Sequence, residues 1–205
     1  DVQGGKCEIA SEKNKNEALS PDKKKAAFIR DWNLWVRDVA TGKETQLTKD
    51  GVKDYGYATD NAGWIHSARP ILVWSPDSKK IATFQQDQRK TGELYLVSTT
   101  VGHPKLEQWK YPLPGDQDVT MIERVVIDVD SPKVVRFQMP PDQHRGTLCD
   151  HLVCRGTEWD DVQWSPDGTK VAFVSTSRDH RQENLRIADA NTGAVRDVLQ
   201  EKVAT

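Results

Sequence analysis

The stretch WSPDGTKVAFVS, from Trp164 to Ser175, decides the fold. Pro166 presets φ for the first central position of a β-turn, and Asp167 and Gly168 suit the positions that follow. The residues on either side read as strands: Asp161 to Trp164 before the turn, and Lys170 to Ser175 after it, carrying Val171, Ala172, Phe173 and Val174. The phrase is a hairpin, and the chain uses it twice more, as SPDKKKAAFI from Ser20 and WSPDSKKIATF from Trp74. A second phrase follows two of the copies, NLWVRDVATGKETQLT from Asn33 and NLRIADANTGAVRDVLQ from Asn184. It too reads as a hairpin, with Thr41-Gly42 at one tip and Thr192-Gly193 at the other.

Two hairpins in succession make a four-stranded antiparallel unit. Such a unit recurring at about 40–50 residues is a propeller blade. Pro21, Pro76 and Pro166 lie 55 and 90 residues apart. The longer interval predicts one degenerate blade, with strands over 119–124, 125–129 and 133–139. The expected fold is therefore all-β: about four blades, near 20–64, 65–112, 113–157 and 158–205, within a larger propeller. Residues 1–19 are expected to be irregular, or the remnant of a preceding blade.

Bulk properties narrow the function classes. The chain has 205 residues, with 29 basic and 31 acidic side chains, so nothing points to a nucleic-acid or anionic-membrane partner. The 36% apolar content is low for a helical globule and suits half-buried strands with polar loops. No apolar run approaches the roughly 20 residues of a membrane helix, and the first residues lack the apolar core of a signal peptide. Three cysteines, Cys7, Cys149 and Cys154, are an odd number and argue against a disulfide scaffold.

Two segments break the period. Lys49 to Arg69 contains DYGYATDNAGW, and Gly102 to Gly115 is rich in proline. Insertions in repeat folds cluster on one face, often the binding face. Tyr55, Tyr57 and Trp64, with Asp54 and Asp60, are candidates to frame a polar pocket there.

The WSPDG repeats and the N-L-W-V-R-D phrase resemble the propellers of TolB-like proteins and of prolyl oligopeptidase-clan peptidases. GVKDYGYATDNAGW from Gly51, LVWSPDSKKIATFQQDQ from Leu72, the ELYLV and KYPLPGD blocks and TLCDHLV from Thr147 are similar, in order and spacing, to the N-terminal domain of dipeptidyl-peptidase IV. The resemblance runs from about Asn16 to the end of the chain. It implies an eight-bladed propeller that covers the active site of a C-terminal α/β-hydrolase domain, and a periplasmic or secreted setting. It also implies that a two-Glu motif, in the pattern D-W-x-Y-E-E-E, holds the substrate's free ammonium. On this chain that pattern falls on Asp54 to Asp60, and the two Glu positions are Ala58 and Thr59, which cannot pair with an ammonium. Asp60, with Asp54, is left as the substrate-binding carboxylate, and Tyr57 and Trp64 as the wall. The alternative is a stand-alone TolB-like module that binds a protein partner.

The remaining motifs carry no chemistry of their own. The G-x-S-x-G of a serine hydrolase of this clan is absent from these residues, so the triad would lie elsewhere in a parent chain, and no catalytic residue is assigned here. Ser20-Pro21-Asp22-Lys23 matches S-x-x-K but belongs to the repeated turn. His144, Cys149, His151 and Cys154 have C-x4-C spacing on alternating faces of an expected strand, which disfavours zinc. Buried thiols, or a disulfide that a strand would strain, are the better readings. Asp128, Asp130, Asp160 and Asp161 read as solvated strand ends, and Arg178 to Arg181 as a loop. Trp74 and Trp164 read as core, whereas Trp32, Trp64 and Trp109 lie at loops or inserts. No cofactor or metal is expected. Open blade edges are expected to favour a homo-oligomer.

Overall fold

The computed structural model describes residues 16–59, 68–99, 101–143 and 161–204. The first sheet runs β1 (Ala18–Leu19), β2 (Lys25–Arg30), β3 (Asn33–Asp38) and β4 (Glu44–Gln46), in that order across the sheet. Next come β5 (Tyr55–Tyr57), β6 (Val73–Trp74) and β7 (Lys80–Asp87). A separate hairpin follows, of β8 (Glu93–Ser98) and β9 (Lys105–Lys110). The second sheet resumes with β10 (Met121–Asp128), β11 (Lys133–Arg136) and β12 (Asp142–Gln143). The third sheet is β13 (Val162–Trp164), β14 (Lys170–Thr176), β15 (Gln182–Asp189) and β16 (Val195–Lys202), again in chain order.

The described strands fall into four antiparallel sheets, three of them blades of four or more strands and the fourth the β8–β9 pair. β10 pairs with β7 along its whole length, from Met121 opposite Asp87 to Asp128 opposite Lys80. Among the described residues between Pro76 and Pro166, β7 and β10 are adjacent strands of one sheet, joined in sequence through the β8–β9 hairpin, so the strands expected over 119–129 belong to the same sheet as β7. Expected breaks within 119–129 also vanish, because one strand covers Met121–Asp128. Ala18 and Leu19 are the first strand of the first blade and not part of an irregular terminus.

Strand periodicity stacks the blades. In β10, Val125 and Ile127 face the first blade and join a core with Ala27, Leu34, Val36 and Ile81. Ile122 and Val126 face the third blade, against Val162, Val171, Phe173 and Ala188. The repeated tryptophans tie the first strands of successive blades together. Trp74 Nε1 donates to the Ala18 carbonyl at 3.1 Å, and Trp164 Nε1 donates to the Val73 carbonyl at 3.0 Å. These contacts place β1, β6 and β13 on the shared inner edge about which the blades fan. A repeated lysine contact, an ion pair in one case and an ion–dipole contact in the other, ties the opposite side of the same end. Lys25 Nζ meets Asp130 at 2.6 Å, and Lys80 Nζ meets Asn191 Oδ1 at 2.9 Å, each reaching the last turn of the next blade.

The stack terminates in sheet faces as well as strand edges. Phe28 and Trp35 stack at 6.5 Å with the Arg30 guanidinium above them on the outer face of the first blade. Lys170, Ile187, Asp189 and Val195 line a groove on the outer face of the third.

Candidate functional site

The inner strand of the second blade is split. Tyr57 pairs with Gln85 and Val73 pairs with Ala82, so β5 and β6 lie end to end on the same edge of β7. Between them the chain leaves the sheet. Ala58 N donates to the Phe84 carbonyl at 2.9 Å, and then Ala58 turns away with a left-handed φ of 54°. Ile71 N donates back to the Ala58 carbonyl at 2.9 Å, which closes the base. Thr83 Oγ1 donates to the Ile71 carbonyl at 2.7 Å, and Thr59 Oγ1 to Gln86 Oε1 at 2.8 Å. The connection between β5 and β6 (59–70, the excursion) is thus held at its two described ends by β7 and by the Ala58–Ile71 bond.

The root is anchored to the first blade as well. Tyr57 N donates to the Trp32 carbonyl at 2.9 Å. Buried Asn33 accepts from Gly51 N at 2.9 Å and donates to the Gly51 carbonyl at 3.1 Å. A Cβ on Gly51 would lie 2.2 Å from the Trp32 carbonyl oxygen, so only glycine fits.

A polar row crosses the second blade at this level. The Tyr57 ring is 0% exposed, and its hydroxyl donates to Asp50 Oδ1 at 2.9 Å and accepts from Arg136 at 2.9 Å. Arg136 also donates to Gln85 Oε1 at 2.5 Å and to Glu123 at 2.8 Å. Tyr55 donates to Glu123 at 3.1 Å and lies under the Arg89 guanidinium, 4.1 Å from the ring centre. Burial, with the Asp50 carboxylate beside it, pushes the Tyr57 hydroxyl well above its ordinary pKa and keeps it a donor.

The structure separates the four sequence candidates. Tyr57 is a core residue that fixes the root from within. Asp54 sits in the turn before β5 with φ of 63°, its carbonyl accepts from Gln88 N at 2.9 Å, and its carboxylate stands 3.5 Å from Gln88 Nε2. Asp60 and Trp64 lie outside the described residues, as do His144, Cys149, His151 and Cys154. Among the described residues, no group of three His, Cys, Asp or Glu is placed to hold a metal. Arg178 donates to the carbonyls of Asp116 at 2.6 Å and Leu113 at 2.9 Å, so this loop packs on the connection after the hairpin. Sequence reasoning missed Arg136, Asp50, Gln85 and Asn33. Asn33 had a signal, because the repeated phrase places Asn184, also buried, at the same position.

The family model for the dipeptidyl peptidase IV (DPP IV) N-terminal region matches residues 2–205. The chain belongs to the dipeptidyl peptidase IV N-terminal family. A probable dipeptidyl-aminopeptidase B of Penicillium rubens is 28% identical over 204 residues, covering 91% of this chain and 21% of that protein. Its counterpart in Neosartorya fischeri is 25% identical over 202 residues, with 90% and 21% covered. The chain thus spans about a fifth of the length of the curated relatives it matches. Among solved structures, Porphyromonas gingivalis dipeptidyl peptidase 4 superposes with a TM-score of 0.69 at 17% identity, covering 92% of this chain and 26% of that one. A putative dipeptidyl aminopeptidase IV from Bacteroides ovatus gives 0.67 at 16% identity, with 92% and 24% covered. These two likenesses establish the propeller fold.

Ala58 is wholly buried in the core, and Thr59 is buried against Gln86. Both positions belong to the root of the excursion. Asp60 is the next residue along the chain.

Proposed function

We propose that this chain is the propeller portion that gates access and holds the N-terminal end of peptide substrates in a dipeptidyl-peptidase IV-like serine peptidase. One observation carries the reading: the innermost strand of the second blade opens into the 59–70 excursion, whose two ends are pinned at Ala58 and Ile71. The inner edge of a propeller blade, where Ala58 and Ile71 stand, faces the central channel that a substrate end can reach. Asp60, one residue past the buried root, is the proposed contact for the substrate ammonium. Its attraction is less screened in a sheltered site than in bulk water. Asp54 lies on the other side of β5, and Trp64 within the excursion is the proposed wall residue. Tyr57 supports the site from behind, through Asp50 and Arg136.

Bond cleavage belongs to a C-terminal α/β-hydrolase domain of the parent protein, with a Ser-Asp-His triad. Family membership favours this reading over a stand-alone binding module. A periplasmic or secreted setting is part of the proposal. The test is kinetic, in the full-length parent. Asp60→Ala should raise KM for peptides with a free N-terminus and leave N-blocked peptides unchanged. Equal effects on both would remove the ammonium role.

A further inference from the structure

The turn between β2 and β3 has two central residues, Asp31 and Trp32, with φ of 49° and 59°. Two left-handed residues make the type I′ turn that suits a twisted hairpin, and Asn-Gly is the sequence that forms it with least strain. Aspartate tolerates this region, but a bulky tryptophan there is an outlier. Glycine takes a left-handed position in the tips at Gly42, Gly168 and Gly193, and His180, a residue type that tolerates this region, takes one in the β14–β15 turn. Lys23 and Ser78 are also left-handed, yet they are short-turn residues at the opposite end of the blades.

Trp32 spends its strain on the second blade. Its carbonyl accepts from Tyr57 N at 2.9 Å. Its side chain lies over Gly56, where an added Cβ would stand 3.1 Å from Trp32 Cβ and 3.3 Å from Trp32 Cδ1. The same added Cβ would lie 2.8 Å from Thr59 Cγ2, so the indole, Gly56 and Thr59 meet at the root of the excursion. Trp32 nevertheless keeps 40% of its surface exposed. A glycine would keep the carbonyl contact and relax the turn, so the indole is not there for the hairpin.

We propose that Trp32 is a positioning residue: its indole, carried on a strained turn of the first blade, fixes the root of the second blade's excursion and so sets affinity for the substrate's N-terminal end. The inference rests on the functional reading above. Strain held at a site by surrounding structure is the usual sign of preorganisation.

The experiment compares two variants in the full-length parent enzyme, with peptides bearing a free or a blocked N-terminus. D31N/W32G installs the preferred turn. Its Tm should be unchanged or higher, while KM for free-N-terminus peptides rises about threefold or more with kcat unchanged, the pattern of lost uniform binding. Trp32→Phe, which keeps an aromatic ring over Gly56, should recover most of that KM. An unchanged KM in D31N/W32G overturns the proposal, whether Tm rises or falls, because the indole is then plain packing. The two readings separate cleanly. If Asp60→Ala raises KM and D31N/W32G does not, only the positioning role fails. If D31N/W32G raises KM and Asp60→Ala does not, the ammonium contact at Asp60 fails and the positioning role stands.

Discussion

Where β1, β6 and β13 turn into β2, β7 and β14, three tight turns of one form close the blades; at the opposite end the described connections all differ. In each tight turn the serine hydroxyl donates to the aspartate two residues on, at 2.6 Å in Ser20–Asp22, Ser75–Asp77 and Ser165–Asp167. The lysines that bridge neighbouring blades stand at this end too. The other end carries the strained Asp31-Trp32 turn, the β8–β9 hairpin and the Arg178 loop, which shares a serine–aspartate bond, Ser177 to Asp179 at 2.6 Å, with the tight turns. A fold that must close a ring repeats itself where blades are fastened. It varies where connections are free of that duty, and recognition is grafted there. Substitutions at the tight-turn end should therefore cost stability, and those at the excursion should cost affinity.

The largest expected effect is at Trp74. Trp74→Ala removes a buried ring and its bond to Ala18, and should lower unfolding free energy by about 3–5 kcal/mol in urea titrations. A loss below about 1 kcal/mol, within the range of ordinary surface changes, would break the claim that this end fastens the blades. Two glycines at equivalent tips sharpen it. A Cβ on Gly193 would lie 2.1 Å from the Arg136 carbonyl oxygen, whereas one on Gly42 meets nothing within 4 Å. Gly193→Ala combines a left-handed penalty with a backbone clash, and should cost about 2–4 kcal/mol. Gly42→Ala bears only the first, about 1 kcal/mol. Equal losses would mean that Gly193 does not dock the third blade on the second.

Tyr57→Phe comes next. It leaves Asp50 and Arg136 without the hydroxyl they share, and should cost about 1–2 kcal/mol. It tests the excursion end, because the loss should come with a raised KM, as it would not for Gly42→Ala. The smallest effect is the pH dependence of the turns. Ser20, Ser75 and Ser165 hold Asp22, Asp77 and Asp167 below the ordinary carboxylate value, and Asp167 reaches about 2. A carboxylate with a depressed folded pKa adds stability above its unfolded value. That stability is lost as pH falls through the folded one, here between about 4 and 2. Asp167→Asn should flatten this acid limb of the urea midpoint against pH, and an unchanged limb would remove the turn from the account.

The sequence made the repeated end legible because its constraints are local. Proline, aspartate and glycine specify a turn within a few residues, and the alternation in KVAFV specifies the strand after it. The pairing of β7 with β10 was not legible, for two reasons. The β8–β9 hairpin lengthens one blade to about the span of two, so spacing alone misleads. Glu123 and Arg124 also interrupt the apolar pattern of β10. Their partners are remote in sequence: Arg136 for Glu123 at 2.8 Å, and Asp142 for Arg124 at 2.7 Å. Arg124 is 4% exposed and lies over the Phe173 ring at 4.8 Å. Half-buried Glu123 and the buried Arg124 read as a strand break until these partners and, for Arg124, the neighbouring blade are seen. The same holds for the site. The non-repeating Lys49 to Arg69 was recognisable as an insertion, but its anchors at Trp32, Asn33 and Arg136 come from other strands.

The central claim is that recognition resides at the excursion and not in the repeated turns. KM of the full-length parent for matched free and N-blocked peptides, measured for Asp60→Ala beside Asp167→Asn, tests it most directly. The account predicts that Asp60→Ala raises KM for the free peptide alone and that Asp167→Asn changes neither. A KM unaffected by Asp60→Ala, or raised equally by both substitutions, would contradict it.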